Sequence, residues 1–186
     1  MVQHSSPQRQ HLAAYEVLPK MGAETDFFLT RTPTQIFVLA VTGGVFVTFG
    51  ALFSILLSNG VSAAGPQLLL QGLGFSTGFF MIILSRGALF TEANVILPAR
   101  ALQGRRFGLP PEAWRFWGIA WLGNMIGAFV IGAVIAFAQV YPQSVHDLLD
   151  AAIAKKMAYM TEGGTAVDWL RIVVSGMLGN GLIGMA

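Results

Sequence analysis

Three long runs of this chain carry no charged side chain, and they define its elements. None lies between Arg31 and Arg86, none from Phe116 to Tyr141, and none from Ile172 to Ala186. A bilayer core about 30 Å thick needs roughly 20 apolar residues per helical crossing. The first run therefore predicts two crossings with a turn between them, and the second predicts one. Ser58-Asn59-Gly60 and Gly65-Pro66 mark the turn. The third run has 15 residues, about 22 Å at ~1.5 Å per residue. It reads as the opening of a fourth crossing, in a piece of a longer protein. The expected spans are residues 35–57, 67–98 with an interruption at 86–94, 114–141, and 167–186, the last incomplete.

Ahead of them, residues 1–34 form a polar leader with a short amphipathic helix expected near Leu12–Met21, lying on the membrane surface. Residues 35–186 form the membrane domain, with a polar, partly helical connection over 142–166. No short apolar stretch followed by small residues marks a cleaved signal in the leader.

Composition narrows the class. Hydrophobic residues make up 54% of the chain and charged ones 11%, with a mean hydropathy of +0.64. A soluble domain carries about 25% charged residues, so this chain could not cover a soluble surface. The net charge of +2 gives no reason to expect nucleic acid. There is no cysteine to form disulfides. No nucleophile–base pair, metal-ligand cluster, phosphate loop or cofactor motif is present, so neither an enzyme nor a metal or cofactor site is expected.

Arginine and lysine placement sets the orientation. Arg9, Lys20 and Arg31 precede the first span, and Arg100, Arg105, Arg106 and Arg115 follow the second. The loop around Gly60 has none, and Lys155 and Lys156 are offset by Asp147, Asp150 and Glu162. The amino terminus is thus expected in the cytoplasm and the Gly60 loop in the periplasm.

The spans are rich in glycine: Gly43, Gly44, Gly50, Gly72, Gly74, Gly78, Gly118, Gly123, Gly127 and Gly132. Small residues let helix backbones approach closely, and helix packing is the ordinary reading of each.

The polar interruption is more specific. Arg86, Thr91, Glu92 and Asn94 break an otherwise apolar pass. At membrane depth, non-helical backbone is tolerated only against protein or beside a water-filled cavity, and broken helices mark permeation paths in transporters. Charged groups within a span cost roughly 2.5–3.5 kcal/mol on insertion scales. Arg86 and Glu92 either pair and fasten the break, lie in headgroups, or serve a path.

Gly74-Phe75-Ser76-Thr77-Gly78, followed by Ala88-Leu89-Phe90-Thr91-Glu92-Ala93-Asn94, resembles the second helix and Ω-loop of the formate/nitrite transporter family. Leu122-Gly123-Asn124-Met125-Ile126-Gly127-Ala128 resembles the family's third helix, and Ser175-Gly176-Met177-Leu178-Gly179-Asn180 the start of its fourth. Gly43-Gly44-Val45-Phe46-Val47 fits its first, so the resemblance covers residues 12–186.

The resemblance implies an all-α polytopic membrane protein with an aquaporin-like inverted-repeat bundle. Its second and fifth helices would be broken, and this chain would hold the first repeat and the start of the second. It also implies a homopentamer in the bacterial inner membrane, each protomer with its own pore. Thr91 matches a threonine that faces a histidine of the fifth helix. That histidine would lie beyond Ala186, and none of His4, His11 or His146 replaces it. Phe79 stands where many relatives have leucine, and Arg86 and Glu92 where small or neutral residues are common. With Val95-Ile96-Leu97-Pro98 these features resemble a less characterised branch.

In such a pore Phe75, Phe79, Leu89 and Phe90 would form hydrophobic slits. A bare anion enters an apolar slit at far greater cost than its neutral conjugate acid. Thr91 and Asn180 would offer hydrogen bonds between the slits. Lys156 and Arg86 would attract anions. The expected function is passage of small monovalent anions such as formate or nitrite, with possible proton coupling. A closed membrane scaffold, plugged by Phe79 and clamped by Arg86 and Glu92, is the alternative. A neutral-solute channel of aquaporin type is disfavoured, because paired Asn-Pro-Ala boxes are absent. Phe75, Phe79 and Leu89 also fit an ordinary bundle core, and Asn180 also fits a helix–helix hydrogen bond.

Overall fold

The computed structural model describes residues 14–103, 109–158 and 164–184. Among these residues every regular element is an α-helix: α1 (Ala14–Leu29), α2 (Pro33–Ser58), α3 (Ala64–Ser85), α4 (Phe90–Gln103), α5 (Pro111–Ala138), α6 (Gln143–Met157) and α7 (Ala166–Gly184). By length and composition α2, α3 and α5 can each cross a membrane. The chain is an all-α polytopic membrane protein.

Local signals start the helices. Thr32 caps α2: its hydroxyl accepts from the Gln35 N–H, and the Gln35 side chain accepts from the Thr32 N–H. This reciprocal box, with Pro33 at the first helical position, satisfies donors the helix leaves open. At α7 Thr165 and Asp168 make the same reciprocal pair.

The α2 helix is the centre of the bundle, packed between α3 and α5. Glycines bring these backbones together. Gly50 of α2 lies against Gly78 of α3, and a methyl added to Gly50 would stand 2.8 Å from the Phe75 carbonyl oxygen and 3.1 Å from the Gly78 Cα. On the other side Gly44 abuts the Asn124 backbone of α5, and Gly127 abuts the Val41 carbonyl. The ten glycines singled out by sequence thus divide. Gly72, Gly118 and Gly132 meet nothing within 4 Å and face outward.

The amino-terminal helix differs from expectation. The expected segment begins outside the described residues, and α1 continues to Leu29, eight residues past Met21. It docks on the protein, against α4 and α5. Phe28 is 1% exposed and stacks on Phe116 at 4.8 Å. The Thr25 hydroxyl, fully buried, donates to the Ile96 carbonyl at 2.9 Å. Arg100 reaches Asp26 at 3.0 Å. An amphipathic pattern identifies an apolar face without saying whether lipid or protein covers it.

Trp114, Trp117 and Trp121 lie toward the start of α5, each partly exposed. Aromatic rings so placed suit a membrane–water boundary. Phe129 and Phe137, further along the same helix, are 77% and 91% exposed.

Because backbone lies beside Gly50, the added methyl of Gly50→Ala cannot be relieved by a side-chain rotation. This substitution is expected to destabilise the complete protein by about 1–3 kcal/mol. Gly132→Ala should stay within about 0.5 kcal/mol of wild type. Thermal unfolding in detergent measures both.

Candidate functional site

The α3 helix ends at Ser85 because Arg86 adopts the left-handed conformation, with φ 54° and ψ 36°. The Arg86 N–H then donates to the Ile83 carbonyl at 3.3 Å and the Gly87 N–H to the Ile82 carbonyl at 3.0 Å. That pair of reversed bonds is a Schellman termination. Glycine usually takes the left-handed position, since a Cβ there costs roughly 1–2 kcal/mol. Here the side chain has partners. The Arg86 guanidinium contacts Glu24 of α1 at 2.8 and 3.0 Å and lies 4.0 Å from the Phe27 ring centroid.

Helix resumes at Phe90, so the break covers residues 86–89. It is shorter than the 86–94 interruption expected from sequence, and Thr91, Glu92 and Asn94 belong to the first turns of α4. Polar side chains mark a helix start as readily as a loop, which is why composition overextended it.

The break lies deep. Ala88 packs on Gly43, ten residues into α2, and on Asn124, thirteen residues into α5. At ~1.5 Å per residue these positions are about 15 and 20 Å from the helix starts, in spans long enough to cross the bilayer. Several backbone groups of the break have partners. The Ala88 N–H donates to the Leu39 carbonyl at 3.1 Å. Asn124 Nδ2 donates to the Ala88 carbonyl at 2.8 Å and to the Ala40 carbonyl at 2.7 Å, and its Oδ1 accepts from the Phe90 N–H at 2.8 Å. The Glu92 carboxylate faces the Leu89 N–H, and the Leu89 carbonyl accepts the first bond of α4, from the Ala93 N–H.

Around this break the structure distributes the expected site residues as follows. Phe75 and Phe79, one turn apart on α3, meet edge to face at 5.5 Å and are half-buried. Leu89 is 5% exposed and packs toward Gly43. Phe90 is half-buried, with its ring centroid 4.9 Å from that of Trp117. Thr91 is half-buried, and its hydroxyl has no hydrogen-bond partner among the described residues. Asn180 lies on α7, which leans on α4. Its Nδ2 donates to the Gly176 carbonyl at 3.2 Å, and its buried Oδ1 has no protein partner among the described residues. Lys156 belongs to α6, and its side chain lies outside the described residues. Of the alternatives open for Arg86 and Glu92, the mutual pair is not formed. Arg86 is bonded to Glu24 instead, because the left-handed turn aims it at α1.

Asn124 escaped the sequence reading as a site residue. Its signal was available: it is the only carboxamide in the apolar run 116–138, and a polar group inside a span needs a partner. Trp117 was also passed over. Its indole N–H donates to Asn94 Oδ1 at 2.7 Å.

A family model described as formate/nitrite transporter matches residues 15–186. The chain belongs to the formate/nitrite transporter family. It is 29% identical over 103 residues to "Formate channel FocA" of Escherichia coli K12, covering 54% of this chain and 35% of that relative. It is 27% identical over 81 residues to "Inner membrane protein YfdC" of the same organism, covering 44% and 26%. A "Probable formate transporter" of Methanothermobacter thermautotrophicus is 27% identical over 110 residues, covering 56% and 39%. The chain thus spans about a third of the length of the curated relatives it matches. The break between α3 and α4 lies within the residues that the family model matches.

Asn124→Ala strips three hydrogen bonds from buried backbone at once. At roughly 1 kcal/mol per bond, a loss of about 3 kcal/mol in stability is expected, read as a lower melting temperature and poor yield of assembled protein. Glu24→Gln breaks only an exposed ion pair and should change stability by less than about 1 kcal/mol.

Proposed function

We propose that this chain contributes to a membrane channel for small monovalent anions, formate and nitrite among them, or for their conjugate acids. The observation that carries the reading is the backbone break at mid-span. It is saturated by Asn124 and followed at once by the unpartnered hydroxyl of Thr91. Irregular backbone at such depth is the usual mark of a transport path. The names of the relatives, a formate channel and a probable formate transporter, agree with it.

In this channel the aromatic rings of Phe75, Phe79 and Phe90, with Leu89, narrow the path. Thr91 and Asn180 offer polar atoms between the slits. A desolvated anion is costly in an apolar constriction, so a hydroxyl donor inside it lowers the barrier. The net attraction for anions comes from Lys156 at the outer mouth. Arg86 contributes less than a free arginine would, since Glu24 neutralises it.

The protein lies in the inner membrane with its amino terminus in the cytoplasm, as the arginine distribution favours. Five copies assemble, and the exposed apolar face of α5 is available to lipid and neighbouring protomers. The rival reading of a closed scaffold drew on a Phe79 plug and an Arg86–Glu92 clamp, and of these Arg86 does not make the clamp.

The test is flux through the complete protein in liposomes. Formate- or nitrite-dependent flux above that of empty vesicles is expected; none across formate, nitrite, acetate and hydrosulfide would overturn the proposal. Phe79→Leu should pass more anion by widening the slit. Thr91→Val should slow formate about tenfold, since a hydrogen bond to a charged group is worth about 1.5–3 kcal/mol.

A further inference from the structure

Phe90 and Asn94 are one turn apart at the start of α4 and so share a face. That face is turned to Trp117 of α5, which touches both. Its ring lies against Phe90, tilted by 50°, and its N–H is bound by Asn94 Oδ1 at 2.7 Å. The arrangement is more specific than packing requires. A Trp–Phe contact alone leaves the indole free to turn about two side-chain torsions. A short hydrogen bond from one edge of the ring selects a single orientation, and the ring so fixed lies 4.9 Å from Phe90, with Trp114 edge to face at 6.2 Å.

We propose that Trp117 is a positioning residue for the constriction, locked by Asn94 so that it holds Phe90 in one rotamer and thereby sets the largest anion that passes. This deepens the channel reading above and rests on its assignment of Phe90 to the path. Thr91 follows Phe90 directly, so the same lock fixes how far the ring stands from the hydroxyl that would meet the anion. Releasing the indole lets Phe90 swing aside, and bulkier carboxylates gain more from the added room than formate does.

The experiment compares formate, acetate and propionate flux in liposomes containing the complete protein. Trp117→Phe keeps a ring beside Phe90 but removes the N–H, and Asn94→Leu removes the acceptor. Each is expected to raise the propionate-to-formate flux ratio about fivefold, the factor corresponding to one hydrogen bond's net worth. The double variant should match the singles, because both remove the same bond. Asn94→Gln, which retains an amide, should return the ratio toward wild type. In a Phe90→Leu background, Trp117→Phe should leave the ratio unchanged.

A bond that merely joined α4 to α5 would lower the melting temperature and leave the ratio where it was. Folded variants whose ratio stays within about twofold of wild type would therefore overturn the proposal. Should Trp117→Phe fail to fold, Asn94→Leu decides alone, and an unchanged ratio there has the same consequence. Wild-type protein that passes no carboxylate would remove the channel reading itself; wild-type protein that conducts, with variants that discriminate as it does, would remove only the lock.

Discussion

The carboxamide of Asn124 is the interaction on which this bundle depends. A helix interrupted at membrane depth exposes backbone groups that water cannot reach, and each left unpaired costs several kcal/mol. One side chain answers two of those demands, at the Ala88 carbonyl and the Phe90 N–H, and its second donor reaches the Ala40 carbonyl inside α2. It ties α2, the break and α4 to a single point on α5. The contact requires close approach, and Gly43 and Gly44 provide it. A side chain at Gly43 would collide with the Ala88 carbonyl, and one at Gly44 with the Asn124 backbone. Glycine richness and the lone asparagine are two halves of one device.

The break is fastened a second time from α1. The left-handed Arg86 costs backbone energy that a glycine would avoid, and its guanidinium lies between Glu24 and the Phe27 ring. The adjoining turns of α1 hold α4 through the Thr25 hydroxyl and Asp26. These bonds differ in weight. The exposed ion pairs contribute little, while the buried stack of Phe28 on Phe116 and the buried hydroxyl of Thr25 anchor α1. The α1 helix is therefore an integral part of the fold around the break.

Position along the helices separates structural polar groups from those open to a ligand. Asn124 is saturated by protein and has nothing left to offer an anion. Thr91, four residues beyond Gly87 at the end of the Schellman turn, has a hydroxyl with no protein partner among the described residues, and Asn180 has a buried oxygen in the same condition. Phe90, whose ring lies beside Trp117, directly precedes Thr91.

Much of this could be read from the chain alone, for physical reasons. Charged groups are too costly in hydrocarbon to be scattered, so the charge-free runs had to be helices, and the polar residues from Arg86 onward had to mark an irregularity, though not its length. The order of family motifs followed from the residues themselves. Pairing in space could not be read in the same way. Arg86 and Glu92 are near neighbours in sequence, yet a left-handed turn sends the arginine to Glu24, 62 positions away. Outward Gly132 and inward Gly127 look alike in a linear pattern, and only the crossing of α2 with α5 distinguishes them. A short amphipathic helix ending near Met21 was legible, whereas the further turns that carry Thr25 and Phe28 onto α4 and α5 depended on a surface assembled elsewhere. Periodicity reports what each residue avoids; which partner it finds is decided when distant segments meet.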